Sequence, residues 1–247
     1  MHGKTALVTG GSRGIGCAIA LALAEAGAYV ALTYHTREQA AENVVRAIHC
    51  AGGQAEALRL PLQNHAAIAG VLRHMTQRHG GVDILVNNAA MSQEKPFLTL
   101  TVEDYVQMWA VNLQGPLLCC QGVLPHMLQQ RWGRIVNIAS IGGQIGGRLQ
   151  VHYAAAKSGV ISLTRSLARL YSGEGITVNA VSPGLIATEM VEAELASPEG
   201  QVKVSTIPAG RIGTVDEVAA VVAFLVSDEA RYVTGQCLNV NGGQYCG

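Results

Sequence analysis

The sequence predicts a single doubly wound α/β domain, with about seven parallel strands covered by helices on both faces. Three observations predict it. Short, near-continuously apolar runs recur along the chain, as parallel strands buried on both faces require. Segments of helical period separate them, so strand and helix alternate from end to end and right-handed crossovers must wind the sheet in both directions. A glycine-rich turn joins the first strand to the first helix, at the sheet end where such folds bind ligands.

Taken in order, residues 5–8 form a short buried strand, and 14–26 a helix of small residues stopped by Gly27. The second strand spans 29–33 and leads to a helix over 37–50, ended by Gly52-Gly53. A third strand over 55–60 precedes a helix over 65–79, closed by Gly80-Gly81. The fourth strand, 84–86, runs into Asn87-Asn88. Thr101 and Asp104 have capping-box spacing and open a long helical stretch to about Gln130, which Gly115-Pro116 must kink or interrupt. A fifth strand over 134–138, a long helix over 150–171 and a sixth strand over 177–181 follow. Thr214 and Glu217 repeat the capping box before a helix over 215–226, and 237–240 is the last strand. No linker or low-complexity run divides the chain, so 1–247 reads as one domain. Residues 187–211, with Pro198, Gly200, Pro208 and Gly210, form an irregular insertion after a strand end, the usual place for a substrate-binding lid.

Composition excludes several function classes. Equal numbers of basic and acidic side chains, 17 each, give a formal net charge of +0 and argue against nucleic acid as partner. Two Phe and two Trp are too few for base-stacking platforms. The six cysteines make no C-x-x-C pair and read as free thiols of a reducing compartment. Met1-His2-Gly3-Lys4-Thr5 runs straight into a strand without a signal segment, and no apolar run reaches membrane-spanning length. A soluble cytoplasmic protein is expected, with no metal. His35, His49, His65, His74 and His79 lack ligand spacing and read as surface residues, and Glu189, Glu192 and Glu194 as a solvated face of the lid.

The turn reads Thr9-Gly10-Gly11-Ser12-Arg13-Gly14-Ile15-Gly16. Glycines there let the backbone approach a pyrophosphate seated on the positive end of the helix. Its strand–turn–helix setting favours a dinucleotide over a merely tight turn. NAD binders place an acidic side chain at the end of the second strand, to hold the ribose hydroxyls. Leu32-Thr33-Tyr34-His35-Thr36-Arg37 has none, and Arg13 lies within the turn itself. Both features fit the 2′-phosphate of NADP(H); the alternative is that Arg13 is a solvated surface residue.

Downstream, Tyr153 and Lys157 stand four apart on a helix, on one face. An ammonium beside a phenol favours the phenolate and draws the tyrosine's pKa down from about 10, which suits proton exchange with a substrate oxygen. Alone, that spacing is equally an exposed helix face.

Together, Thr9-Gly10-x-x-x-Gly14-x-Gly16, Asn87-Asn88-Ala89, Asn112, Ser140, Tyr153-x-x-x-Lys157 and Pro183-Gly184 resemble the classical short-chain dehydrogenases/reductases over essentially the whole chain. The 3-oxoacyl-(acyl-carrier-protein) reductases are the most similar subgroup, through Gly10–Gly16, Gln150, Pro208-Ala209-Gly210-Arg211-Ile212-Gly213 and Tyr232-Val233-Thr234-Gly235-Gln236. The resemblance implies a Rossmann-like fold, NADP(H) as cofactor and a homotetramer. It implies Tyr153 as general acid, Lys157 as its partner and holder of the nicotinamide ribose, and Ser140 as donor to the substrate oxygen. Asn112 would hold a water leading to Lys157, its alternative being a structural cap. Cofactor contacts would come from Gly10, Ser12, Arg13, Gly14, Ile15, Gly16, Thr33, Tyr34, His35, Asn88, Ala89, Tyr153, Lys157, Pro183, Gly184, Ile186 and Thr188. Substrate would meet Ser140, Gln150 and Tyr153.

The chain departs from the family pattern in three places. Pro61-Leu62 replaces an aspartate often found against the adenine, leaving that contact to the Leu62 backbone. Ala90 stands where a glycine is common. Of the two basic residues expected to dock an acidic carrier, Arg131 matches one, while Glu174 occupies the other position. The implied reaction is NADPH-dependent reduction of a 3-oxoacyl thioester, carried on acyl carrier protein or coenzyme A. Reduction of another ketone, or oxidation of a secondary alcohol, keeps the same chemistry. A silent nucleotide-binding regulator is the reading from another class.

Overall fold

The computed structural model describes residues 1–188 and 198–247; the expected carboxylates Glu189, Glu192 and Glu194 lie outside them. Seven strands form: β1 (Thr5–Val8), β2 (Tyr29–Tyr34), β3 (Gln54–Arg59), β4 (Ile84–Asn87), β5 (Gly133–Ile138), β6 (Ile176–Pro183) and β7 (Cys237–Val240). All pair in parallel, in the order β3-β2-β1-β4-β5-β6-β7. The chain reverses its winding between β1 and β4, so a crevice opens beyond the carboxyl ends of these strands.

Side chains alternate across the sheet and sort the core into two layers. Ala6, Val8, Val30, Leu32, Ile84 and Val86 point to one face, beneath α1 (Gly14–Glu25), α2 (Glu38–Cys50) and a C-terminal helix, Val215–Val226. Leu7, Ala31, Leu85 and Ile135 point to the other, beneath α3 (His65–His79) and the helices that follow β4.

The long helical stretch is interrupted as expected, by a π-helical turn immediately before Gly115-Pro116. α4 (Val102–Trp109) begins at the predicted capping box, with both Thr101 and Asp104 bonds made. It passes through a single π-helical turn, Ala110–Gln114, into α5 (Gly115–Gln130), whose first turn holds Pro116. The chain stays helical from the π turn into α5, and the altered hydrogen bonding of that turn is where the backbone accommodates a residue lacking an N–H. Beyond β5 come a short α6 (Gly142–Ile145) and the long α7 (Val151–Tyr171). The insertion expected to be irregular contains a further helix, α8 (Pro198–Ser205), and Val215–Val226 is then α9, opened by its predicted capping box. No described helix is long and apolar enough to cross a membrane.

Candidate active site

The glycine turn is held by its neighbours rather than by its own side chains. Thr33 at the end of β2 accepts the Gly10 N–H on its hydroxyl at 3.2 Å and the Gly11 N–H on its carbonyl at 2.9 Å. Asn88, just past β4, donates its amide to the carbonyls of Thr9 and Gly10 at 2.9 and 3.1 Å. The Thr9 hydroxyl in turn accepts the N–H groups of Asn88 and Ala89, each at 3.0 Å. Gly16 lies where α1 meets this turn: an added Cβ would fall 2.2 Å from the Gly10 carbonyl oxygen. Only glycine permits that approach, which aims the helix N-terminus at the crevice.

A cleft of ≈ 350 Å³ opens above it, lined by the glycine turn, the segment from Thr33 to Arg37, Leu60, Asn88, Ala89, Ala90 and Thr188. Gly10, Ser12, Arg13, Gly14, Ile15, Gly16, Thr33, Tyr34 and His35 therefore sit where the sequence placed them. Among the described lining residues there is no carboxylate, and two arginines are present, Arg13 and Arg37, each the first residue before a helix. Arg37 went unnoticed in the sequence because it reads as the start of a helix; its place after a strand end without an acid was the available signal. Ala90 has no left-handed backbone, so its replacement of a glycine costs nothing.

Six expected cofactor contacts lie outside the lining of this cleft: Leu62, Ile186, Pro183, Gly184, Tyr153 and Lys157. Leu60 and Leu62 are both buried in the core; Leu62 packs against Gly115, whereas Leu60 borders the cleft. The turn closed by the Asn64 N–H on the Pro61 carbonyl carries Leu62 inward. Ile186 is buried in the apolar core, bridged to Gly213, so its side chain is not available to a ligand. Asn88 lines the cleft, but its amide is spent on the glycine turn. Pro183 and Gly184 end β6 beside the Ser140 loop, where the Pro183 carbonyl accepts the Ile141 N–H at 3.0 Å, outside the residues lining the cleft.

Ser140 follows β5, and its hydroxyl accepts the Gly142 N–H at 3.1 Å. Tyr153 lies in the first turn of α7 and hydrogen-bonds with Ser140. Lys157, one turn on, is 3% exposed; its Nζ donates to the Ile138 carbonyl at 2.7 Å and lies 5.8 Å from the centre of the Tyr153 ring. The strand and the helix are brought together by Gly143, where a Cβ would sit 2.8 Å from the backbone of Lys157. Nothing in the spacing of the sequence marked Gly143. The expectation that Lys157 draws the phenol toward phenolate is not met. Burial pushes Tyr153 up, opposed by the Ser140 hydrogen bond, and burial pushes Lys157 itself down to about 8.

Asn112 occupies the π-helical turn and is fully buried. Its amide clasps the backbone of Met91, accepting the N–H at 2.9 Å and donating to the carbonyl at 2.8 Å, and also donates to the Met108 sulfur. The Asn112 side chain thus pins the loop after β4, as the structural alternative expects. Gln150 turns its amide to Ser92 and Glu94 rather than toward Tyr153. His152, beside Tyr153, is buried against Gln93 and does not reach the site mouth.

Comparison with known proteins follows the same lines. The family model described as enoyl-(acyl carrier protein) reductase matches residues 10–244. The chain belongs to the classical short-chain dehydrogenase/reductase family. It is 40% identical to the 3-oxoacyl-(acyl-carrier-protein) reductase FabG of Staphylococcus aureus, over 98% of each chain. With the enzyme of the same name from Vibrio cholerae it is 42% identical, over 99% of this chain and 98% of that one. A solved structure described as an NAD(P)-dependent gluconate 5-dehydrogenase from Beutenbergia cavernae, with bound NADP, superposes with a TM-score of 0.94 at 37% identity, covering 99% of this chain and 97% of that one. A blue fluorescent protein from a metagenomic library, in complex with NADPH, gives 0.93 at 36% identity, covering 99% of both chains.

Proposed function

We propose that this protein is an NADPH-dependent reductase of 3-oxoacyl thioesters, delivered on acyl carrier protein or coenzyme A. The observation that carries the reading is the convergence of Ser140, Tyr153 and Lys157 beside a cleft with two arginines and no described carboxylate. The residues fit the cofactor: the glycine turn leaves the space a Cβ would fill, and Arg13 and Arg37 offer charge to a 2′-phosphate. Bound there, NADPH would supply hydride to a carbonyl carbon. The chain's part is acid–base and electrostatic. Tyr153, kept protonated by its burial, gives its proton to the developing alkoxide. Ser140 donates a second hydrogen bond to the same oxygen, where charge appears only as reaction proceeds. Lys157, near neutrality in its pKa, restores the proton and steadies the charge left on the phenol.

One observation favours a second substrate class. Arg131, the matched carrier-docking residue, is paired with Glu174 at 3.2 Å and bonds to the Gly173 carbonyl. That pair neutralises the patch an acidic carrier would need and suits a small ketone or coenzyme A thioester. The unit is proposed to be one domain with 187–211 as lid, of which 189–197 lie outside the described residues, and to work in the cytoplasm as a homotetramer. In support of assembly, Val102, Val106 and Trp109 on α4 and Ala155, Ser158 and Ser162 on α7 present apolar and small side chains to solvent. Ala154, between them on the same helix, is buried within the chain and takes no part in that face.

The test is NADPH oxidation with acetoacetyl-CoA, acyl-carrier-bound 3-oxo chains and simple cyclic ketones. Tyr153→Phe should reduce turnover on the best of these by about 10²–10⁴-fold while NADPH still binds. Unchanged turnover would remove Tyr153 from the chemistry, and activity on ketones alone would assign the second class.

A further inference from the structure

We propose that Glu56, His74 and His79 form a site for one divalent transition-metal ion, zinc by preference, at the end of the sheet opposite the cofactor cleft. The sequence hid it: His74 and His79 read as surface residues, and Glu56 lies in a different element. In the fold, α3 lays its last turns against β3, the edge strand, and both imidazoles reach the same carboxylate. His74 Nε2 lies 2.9 Å from Oε2 of Glu56, and His79 Nε2 lies 3.1 Å from Oε1. All three donor atoms fall within 4.8 Å of one another.

Tetrahedral zinc, with bonds of about 2.0–2.2 Å, separates its ligand atoms by roughly 3.3 Å. Each imidazole nitrogen is already near that separation from one carboxylate oxygen, His74 from Oε2 and His79 from Oε1. The remaining separation, between the two imidazoles, closes by rotation of His74, whose side chain is 38% exposed, and solvent supplies the fourth ligand. Two imidazoles and a carboxylate are the donor set that zinc and its neighbours in the first transition row prefer.

The surroundings support ligation. The Tyr29 ring stacks on His79, with centroids 4.1 Å apart, and fixes the plane of that imidazole. The same ring borders Glu56, so both ligands are held by packing at this end of the sheet. Arg78 adds a nearby positive charge, which moderates the affinity. Tyr29 and Glu56 stand at the amino-terminal halves of β2 and β3, whereas the cofactor cleft draws on Thr33 to Arg37 and Leu60 from the other end. Metal there has no route to the reacting carbonyl. Its role is to tie the end of α3 to an edge strand, stabilising the fold by its affinity for the folded form.

Equilibrium dialysis of the full-length protein against zinc chloride, and titration with Co²⁺ followed by visible absorption, test this. One equivalent per chain is expected, weakened at least tenfold in both Glu56→Gln and His79→Asn, with a Co²⁺ spectrum free of thiolate charge transfer. Zinc at 100 times the wild-type Kd should raise the melting temperature of the wild type by roughly 5–10 °C and that of the variants by no more than about half as much. NADPH binding and the metal-free circular dichroism of both variants should match wild type, showing that they fold. No saturable uptake would overturn the proposal. So would equal uptake by the variants, or thiolate bands assigning the metal to cysteines such as the exposed Cys50 or Cys246.

Discussion

Replacing Lys157 with methionine should make the cofactor-free protein more stable at neutral pH while abolishing its activity. The ammonium is 3% exposed, and burial lowers its pKa from 10.5 to about 8. That depression corresponds to a penalty of about 3 kcal/mol for holding the charge inside the fold at pH 7. Methionine fills most of the stem's volume without a charge. It also loses the 2.7 Å bond to the Ile138 carbonyl and leaves that oxygen unpaired, costing about 1–2 kcal/mol. The net gain at pH 7 is about 1–2 kcal/mol. Between pH 8 and 10.5 the unfolded chain binds a proton at this lysine that the folded chain does not, so wild-type stability rises with pH through that window. Above it the penalty is gone and only the lost hydrogen bond remains. The variant should therefore be the more stable at pH 7 and the less stable above pH 10.5. Urea denaturation of both proteins at the two pH values measures this. A variant less stable at pH 7, or a difference indifferent to pH, would refute the account of a destabilising buried charge.

Two further outcomes are expected. Gly143→Ala should place a methyl 2.8 Å from the Lys157 backbone, costing about 1–3 kcal/mol and shifting Ser140 against Tyr153. Turnover should fall by about 10–100-fold with NADPH affinity kept, as parallel kinetics and binding titrations would show; an unaltered kcat would mean the two elements have room to separate. Arg13→Ala and Arg37→Ala should each weaken NADPH by about 10–100-fold and leave NADH within a factor of about two, the scale of one or two charge-assisted hydrogen bonds. An equal loss for both cofactors would remove these side chains from 2′-phosphate recognition.

Much of the architecture was legible because it rests on local signals. Every strand was found to within a few residues, since parallel strands are apolar on both faces and glycines end the helices between them. Both capping boxes formed as spaced. The meeting of Ser140, Tyr153 and Lys157 was legible by motif, and the glycine turn by its setting. What escaped depends on packing between distant elements. Leu62 and Leu60 are two apolar residues of one segment, and only the turn after Pro61 decides which faces the cleft. The Tyr153 phenol was misjudged because pairwise charge can be read from spacing, whereas desolvation depends on what covers the ring. Glu56, His74 and His79 are scattered in sequence and share no motif, so only the folded edge strand assembles them.

The site also shows where the fold accepts cost for chemistry. Lys157 is buried with no carboxylate partner among the described residues, a placement that lowers stability and brings its pKa down to about 8. Holding it there requires the carbonyl at the end of β5, the close approach at Gly143, and a fixed start to α7. The Asn112 clasp on Met91 steadies the loop facing the same region, from a π-helical turn that straight helical hydrogen bonding would remove. These devices hold the Tyr153 phenol, Lys157 and the Ser140 hydroxyl in one geometry. The Arg131–Glu174 pair is a separate, solvent-exposed contact. On the proposed function, docking of the substrate carrier and proton transfer would thus rest on separate parts of this chain. An exchange at Glu174 should accordingly change which carrier docks without touching the proton transfer at Tyr153.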